Sequence, residues 1–191
     1  MKITFDFNCV IALENGAPSA KYLSKLLSLH DQNKLDICVP AISGVEKLPD
    51  GKYSTTLTDL INRLEKLSKK PIKILDTLAY FDMWFLGHGI FGNAELQKLD
   101  EEIHSILFPD VEYKLEDFAK TSNIYPDKTL SKWMNNRCDV ISMWCHIYHK
   151  TDIFVSRDGN FFKPPKLQKL NKLGANKIQK PKEAYKHTLI L

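Results

Sequence analysis

In "FVSRDGNFF", residues 154–162, the end of an apolar strand runs straight into a charged turn. The first residues of this stretch belong to the run "DIFVS", whose β-branched and aromatic side chains are typical of a buried strand. Asp158 and Gly159 then form a dipeptide that is common in turns. Three interpretations are open: an ordinary turn, an acid that binds a metal ion, or a turn that binds phosphate.

Similar apolar runs occur along the whole chain and are separated by segments with helical periodicity. Strands are predicted at residues 2–13, 34–40, 72–75, 152–156 and 177–179. Strands that alternate with helices form a mainly parallel sheet with helices on both faces. The predicted fold class is therefore α/β, a three-layer α/β/α arrangement in a single domain over residues 1–191. Residues 72–125, the least regular part, are predicted to be a helical insertion or lid.

The composition is that of an ordinary globular protein, with 43% hydrophobic and 26% charged residues. No run approaches the roughly eighteen apolar residues of a membrane-spanning helix, and Asp6 interrupts the first run where a signal peptide needs an unbroken one. We therefore expect a cytoplasmic protein without a membrane partner. Its four cysteines include no C-x-x-C pair, which predicts reduced core thiols and not a disulfide framework or a zinc site.

The last segment of the chain is strongly basic. Residues 163–191 contain eight of the 27 basic residues and only one of the 23 acidic residues. Lysines at this density can follow a phosphate backbone, which suits a nucleic-acid partner. Leu167, Leu170 and Leu173 recur every three residues between the lysines, so a solvated helix face is an equally good interpretation.

Three further acids are predicted to share one edge of the sheet with Asp158. They are Asp6 in the first strand, Glu46 after the second strand, and Asp139 near the start of a helix. Functional groups of a parallel sheet collect beyond the carboxyl ends of its strands, so these side chains are expected to lie close together. Four carboxylates repel one another unless a cation lies among them, and all-oxygen ligands suit Mg²⁺ or Mn²⁺. The predicted chemistry is attack of a metal-activated water on a phosphodiester.

Each acid also has a purely structural interpretation. Asp158 can be a turn residue, Asp139 can favour a helix N-terminus, and Glu46 can lie on an exposed helix surface. Asp6 is harder to explain in this way, because a carboxylate inside an apolar run costs free energy unless it has a charged partner. Among the nearby basic residues, Arg137 would contact phosphate or lie in solvent.

Several segments of the chain together resemble the PIN-domain nucleases, metal-dependent ribonucleases that include the toxins of bacterial toxin–antitoxin pairs. The opening "ITFDFNCVIAL" resembles the first strand of that family, and "ICVPAISGVEKL" resembles its second strand and Glu-bearing helix. The long segment "NNRCDVISMWCHIYHKTDIFVSRDGNFF" is similar to its Asp-bearing helix and Ser/Thr-Arg-Asp-x-x-Phe turn, and "IQKPKEAY" to its closing strand. The resemblance covers about the first fifty and the last sixty residues.

The resemblance implies a PIN-like endoribonuclease that uses Mg²⁺ or Mn²⁺. Its implied catalytic and metal-binding residues are the four acids Asp6, Glu46, Asp139 and Asp158. Polar residues implied to surround the metal or the substrate are Asn8, Ser156, Arg157 and Asn160. The implied partners are RNA, an antitoxin protein and a second copy of the chain in a homodimer.

Two other functions fit parts of the same sequence. A catalytically silent PIN-like module would bind RNA or a protein through the basic segment and residues 72–125. A phosphatase of the haloacid-dehalogenase type also begins with an Asp after its first strand. Such an enzyme needs a second Asp two residues later as its acid and base, and this chain has Asn8 at that position.

Overall fold

A computed structural model describes residues 1–45, 56–79, 87–121 and 126–190 of the chain. Its strands are β1 (Lys2–Phe5), β2 (Asp36–Pro40), β3 (Lys73–Leu75), β4 (Thr77–Leu78), β5 (Gly89–Ile90), β6 (Ile153–Val155) and β7 (Lys177–Gln179). Five of them form the main sheet in the order β3-β2-β1-β6-β7, and every pairing in it is parallel. The strands β4 and β5 form a separate parallel pair.

Helices connect the strands of the main sheet. The α-helices of the described ranges are α1 (Phe7–Glu14), α2 (Ala20–Asp31), α3 (Leu57–Leu67), α4 (Ala94–Leu107), α5 (Leu115–Thr121), α6 (Pro126–Tyr148), α7 (Pro164–Lys172) and α8 (Pro181–Thr188). Short 3₁₀-helices span Ala41–Val45 and Gly159–Phe162. None of the helices in these ranges is long and apolar enough to cross a membrane. The predicted α/β class with a parallel sheet is confirmed.

The first apolar run is not a single strand, which corrects the prediction for residues 2–13. The strand β1 ends at Phe5, Asp6 has an extended backbone, and α1 begins at Phe7. Four of the eight residues of α1 are buried. A buried helix and a buried strand both produce a continuous apolar run, so periodicity does not separate them. Asp6 therefore lies just beyond the strand and not inside it.

The sheet is buried on both faces, because successive strand residues point to opposite sides. On one face, Ile3 and Phe5 of β1 pack in a core that includes side chains of α1, α2, α3 and α8. On the other face, Phe154 of β6 packs in a core that includes side chains of α4, α5, α6 and α7. This distribution is compatible with a three-layer α/β/α fold. All four cysteines are buried, as predicted, and none of them forms a disulfide.

The described parts of residues 72–125 contribute to the sheet and to the core. The strand β3 forms one edge of the main sheet beside β2. The helix α4 places Ile103 and Leu107 in the core on the α6 side of the sheet. That this segment is an insertion or a lid stays a prediction.

The prediction for Arg137, either a phosphate contact or a solvated side chain, is wrong. Its side chain is fully buried on α6 and forms an ion pair with Asp100 of α4, with Nη2 2.7 and 2.6 Å from the two carboxylate oxygens. The hydroxyl of Tyr113 donates to the same carboxylate at 2.6 Å. The guanidinium carbon lies 5.0 Å from the centre of the Tyr113 ring. This buried cluster connects α4 to α6.

Replacing Asp100 by Asn should lower the free energy of unfolding by about 3–5 kcal/mol, because breaking a buried ion pair leaves its partner charge buried. Urea unfolding at neutral pH measures the change. The matched control is Asp117→Asn, which removes an exposed ion pair with Lys120 and should leave stability unchanged. Equal effects of the two substitutions would contradict the structural role of the buried pair.

Candidate functional site

The strand order places the candidate site between β1 and β6. From β1 the chain moves in one direction to β2 and β3, and later in the other direction to β6 and β7. In such a sheet, ligands bind beyond the carboxyl ends of the strands where the direction reverses. Asp6 follows β1 directly, and Ser156 follows β6 directly. The backbone amide of Asp6 donates to the carbonyl of Val155 at 2.9 Å, so these two strand ends adjoin.

Ser156 is the centre of the hydrogen bonds at this edge. Its hydroxyl donates to Asp6 Oδ2 at 2.5 Å, and it accepts from Asn8 Nδ2 and from the backbone amide of Asp158, both at 3.0 Å. Asn8 Nδ2 also donates to Asp6 Oδ2 at 2.5 Å. A hydroxyl group has one donor and two acceptor positions, so Ser156 uses its full capacity. It thereby connects the ends of β1 and β6 and the beginning of α1.

The Asp6 carboxyl group is 2% exposed, which disfavours its charged form. Burial, together with the smaller effect of the Asp158 carboxylate, raises the pKa of Asp6 from 3.8 to about 6, although the hydrogen bond from Ser156 acts in the opposite direction. A shift of this size corresponds to roughly 3 kcal/mol between the two protonation states. At neutral pH the fold therefore holds Asp6 as an unfavourable buried anion.

Asp139 lies in the middle of α6, which corrects its predicted position near a helix start. It follows Pro126, the first residue of α6, by thirteen residues, whereas a helix dipole acts within the first turn. Within the described ranges its side chain forms no hydrogen bond or ion pair. Burial raises the pKa of Asp139 well above 3.8, and the carboxylates of Asp6 and Asp158 raise it further. Three acids from distant segments of the chain thus lie close enough to interact electrostatically.

Asp158 begins the turn between β6 and α7, and its carboxylate stabilises that turn. Its Oδ1 accepts from the backbone amide of Asn160 at 2.9 Å and caps the 3₁₀-helix that follows. Phe161 anchors the turn in the core, with its ring centre 5.1 Å from that of Phe154. The interpretation as an ordinary turn is therefore correct, and it is compatible with the electrostatic contact between Asp158 and the other two acids.

The same contacts count against a turn that binds phosphate through its backbone. The amide of Arg157 donates to Asn8 Oδ1 at 3.0 Å, and the amides of Asp158 and Asn160 donate to Ser156 Oγ and Asp158 Oδ1. Three of the turn's amides are thus occupied by the protein's own oxygen atoms. A phosphate at this edge would have to be bound by side chains instead.

Lys166 of α7 holds the turn in place through Asn160, a role that was not predicted from the sequence. Its ammonium group donates to Asn160 Oδ1 at 2.6 Å and to the carbonyl of Leu107 at the end of α4. Asn160 Nδ2 donates to that same carbonyl at 3.3 Å. Burial lowers the pKa of Lys166, and the charge of Lys163 adds to the effect. Lys166 is one of several regularly spaced lysines, so nothing in its sequence context distinguishes it.

The remaining predicted site residues are described to different extents. Arg157 is exposed, and its Nη1 lies 3.4 Å from the carbonyl oxygen of Asn8. Glu46 lies outside the described residues. Among the residues that the structure describes, no three His, Cys, Asp or Glu side chains form a group that could hold a metal ion as it stands. The three acids at the edge therefore interact electrostatically without forming a complete set of ligands.

Comparisons of the chain with protein-family models, with curated proteins and with solved structures find no match. The resemblance to PIN-domain nucleases is therefore neither supported nor contradicted by a relative. Any functional conclusion depends on the chemistry of the carboxyl edge itself.

Asp139→Asn should stabilise the protein at pH 7.5 and change its stability little near pH 4. A raised pKa means that the native state binds the proton more tightly than the unfolded chain. Proton binding by Asp139 therefore contributes fully to stability below the pKa of the unfolded chain, about 4. This contribution is lost as the pH rises through the higher pKa of Asp139 in the native state. Urea unfolding of both proteins at the two pH values measures the difference. The gain in free energy of unfolding of the variant over the wild type should increase with pH. A gain that stays constant or becomes smaller as the pH rises would contradict this electrostatic description.

Ser156→Ala should lower the free energy of unfolding by about 1–3 kcal/mol, because it removes the donor to buried Asp6 and two acceptor positions. It should also raise the pKa of Asp6 further, since the hydrogen bond from Ser156 lowers that pKa. Urea unfolding and NMR titration of the Asp6 carboxyl carbon measure the two effects. Ser105→Ala on α4, whose hydroxyl donates to the carbonyl of Glu102 at an exposed position, is the control. If both substitutions leave stability unchanged, Ser156 does not organise the edge.

Proposed function

We propose that the chain is a PIN-like, cytoplasmic endoribonuclease that hydrolyses RNA phosphodiester bonds with Mg²⁺ or Mn²⁺. In this proposal Asp6, Asp139 and Asp158 bind the ion, with Glu46 as a further ligand. The observation that carries the proposal is electrostatic. Burial and mutual repulsion raise the pKa values of two of these acids at the edge where a parallel sheet binds its ligands.

The chemistry of the donor groups at this edge suits a hard divalent cation. Carboxylate oxygens are the ligands that Mg²⁺ and Mn²⁺ prefer. The thiol of Cys9 donates to Asn8 Oδ1 at 3.4 Å, and burial raises its pKa well above 9.0, which keeps it protonated and unsuited to a soft metal. Asp139 has no compensating cation within the described ranges, and a bound ion would supply that charge. The donor chemistry of these acids therefore suits the proposed ion, although the described side chains do not form a complete set of ligands as they stand.

Side chains around the three acids would hold the site and the substrate in place. When bound, the ion would lower the pKa of a water molecule and stabilise negative charge on the phosphate. Ser156 and Asn8 orient the carboxylate of Asp6 through their hydrogen bonds. Lys166 fixes the turn of Asp158 through Asn160. The exposed guanidinium of Arg157, next to this turn, is suited to bind a phosphate of the substrate.

The family resemblance adds protein partners to the proposal. They are an antitoxin protein, if the chain acts as a toxin, and a second copy of the chain in a homodimer. An RNA-processing nuclease without an antitoxin is the other role within the same activity. RNA is the substrate in both.

A catalytically silent RNA- or protein-binding module is the second candidate. It is favoured by one observation, the lack of a complete group of metal ligands among the described residues. A phosphatase of the haloacid-dehalogenase type fits less well. Asn8 stands where such an enzyme needs an acid and base, and its amide group donates to Asp6.

Asp6→Asn, Asp139→Asn and Asp158→Asn should each lower the rate of RNA cleavage in Mn²⁺ by at least about 100-fold, because each removes a charged ligand of the ion. Cleavage of a labelled single-stranded RNA measures the rate. Thermal unfolding with and without Mn²⁺ gives a second readout, in which the ion should stabilise the wild type but not Asp139→Asn.

The control for these substitutions is Asp117→Asn, an exposed acid on α5 that should keep both the wild-type rate and the stabilisation by Mn²⁺. Cleavage that survives Asp6→Asn and Asp158→Asn together would contradict the proposed site. RNA binding in chelator, with no cleavage in either ion, would favour the silent module.

A further inference from the structure

A surface groove of about 630 Å³ lies beside the turn that Asp158 begins. The groove is lined by aromatic, proline, aliphatic and amide side chains, namely Phe162, Pro164, Pro165, Leu167, Gln168 and Asn171. We propose that this groove binds a base of single-stranded RNA next to the phosphodiester that is cleaved. The inference rests on the proposed function for the identity of its ligand, and it adds a substrate-binding subsite to that function.

The groove and the acids are adjacent in the fold. Asp158 caps the 3₁₀-helix of which Phe162 is the last residue. At a rise of about 2 Å per residue, four residues of 3₁₀-helix separate the two by about 8 Å, which a few nucleotides of RNA span. Phe161 points into the core, whereas Phe162 is half-buried and contributes to the groove. One short turn therefore carries both a candidate metal ligand and an aromatic surface for a base.

A cation lies close to the ring of Phe162. Lys180 follows β7 directly and is exposed, and its Nζ lies 5.3 Å from the centre of the Phe162 ring. An aromatic ring beside a positive charge is the combination that binds single-stranded nucleic acid, because the base stacks on the ring and the cation attracts the backbone phosphate. The lysine is flexible enough to move from the ring to a phosphate when a base stacks.

The floor of the groove is one face of α7. Pro164, Leu167, Gln168 and Asn171 follow the i, i+3, i+4, i+7 pattern, which places them on the same side of the helix. Gln168 and Asn171 are exposed. Each amide group offers both a donor and an acceptor to the edge of a base. A subsite with an apolar end and a polar end is thus available to an unstacked base.

The charge around the groove favours RNA over other ligands. The helix α7 contains three lysines and no acid. Lys163 precedes the helix directly, and Lys180 contacts the ring of Phe162. A polyanion is therefore the complementary partner. An acidic peptide would use the lysines but would leave the aromatic ring and the paired amides without a specific role. Single-stranded RNA uses all three features.

Binding of a fluorescein-labelled 12-nucleotide oligoadenylate in EDTA, followed by fluorescence anisotropy, tests the groove without any cleavage. Phe162→Leu, and separately the double substitution Gln168→Ala with Asn171→Ala, should each raise the Kd about fivefold or more. Both should leave the salt dependence of binding unchanged because they remove no charge. Lys180→Met should reduce the slope of log Kd against log salt by about one.

The matched control is Tyr185→Leu on α8, where Lys25 Nζ lies 4.9 Å from the centre of the tyrosine ring. This is an equivalent lysine–aromatic pair away from the groove, and its substitution should leave the Kd unchanged. Because Gln168 and Asn171 are exposed, their double variant tests the groove even if Phe162→Leu fails to fold.

The subsite would be overturned by no binding of the oligonucleotide by the wild type, by an unchanged Kd in the groove variants, or by equal binding of an abasic oligomer of the same length. If an acidic peptide competes with the oligonucleotide and loses as much affinity as the oligonucleotide does in Phe162→Leu, the subsite is overturned in favour of a protein ligand. Cleavage in Mn²⁺ is scored separately. If the groove variants bind the oligonucleotide more weakly but the wild type does not cleave RNA, the groove is supported and the nuclease activity is refuted. If the wild type cleaves RNA but the variants bind the oligonucleotide as well as the wild type does, only the groove is refuted.

Discussion

Repulsion among three carboxylates at the sheet edge is the constraint on which the candidate site depends, with Asp6 buried and Asp139 and Asp158 half-buried. The helix α6 shows two ways in which this fold treats a charge that is removed from solvent. Arg137 is neutralised by Asp100 in a fully buried ion pair, whereas Asp139, two residues later, faces other acids. Residues two apart on a helix point about 200° apart, so the two charges lie on opposite sides of α6. The charge of Arg137, which connects two helices, is thus neutralised by an ion pair. The charge of Asp139 at the sheet edge has no such partner among the described residues.

A network of hydrogen bonds holds Asp6 next to the turn of Asp158 in spite of the repulsion between their carboxylates. Ser156 connects Asp6 to the turn of Asp158, and Lys166 connects that turn to the end of α4. These contacts come from the ends of β1 and β6 and from two helices, so the network depends on the parallel sheet being in register. An arrangement that stabilises groups whose charged forms are costly is typical of functional sites. The network therefore explains how a thermodynamically unfavourable edge persists in the native state.

Much of the sheet could be predicted from the sequence, because short β-branched runs bounded by proline, glycine or charged residues have few alternatives. The strands β2, β6 and β7 lie at or within the predicted ranges, and all pairings are parallel. The end of β1 could not be located, since a buried helix follows it and only Asp6 and Asn8 interrupt the apolar run. Local patterns also could not show that Asp139 is central in a long helix. Leu130, Trp133 and Met134 have helical spacing, but the polar run Asn135, Asn136 and Arg137 follows them, so the sequence does not distinguish one long helix from two.

Tertiary contacts account for the other differences. Arg137 has the sequence context of a surface residue, and only the approach of α4 makes it a buried partner of Asp100. Lys166 resembles every other lysine of α7 until the turn of Asn160 folds onto it. Both residues acquire their roles from segments more than five residues away, which a propensity or a motif does not encode.

The most direct test of the account is an anomalous difference map from crystals soaked in Mn²⁺. We expect one or two peaks within about 2–2.5 Å of carboxylate oxygens of Asp6, Asp139 and Asp158, with Glu46 as a candidate additional ligand. No peak at this edge, or an Asp139 carboxylate neutralised by a lysine or arginine instead, would contradict it.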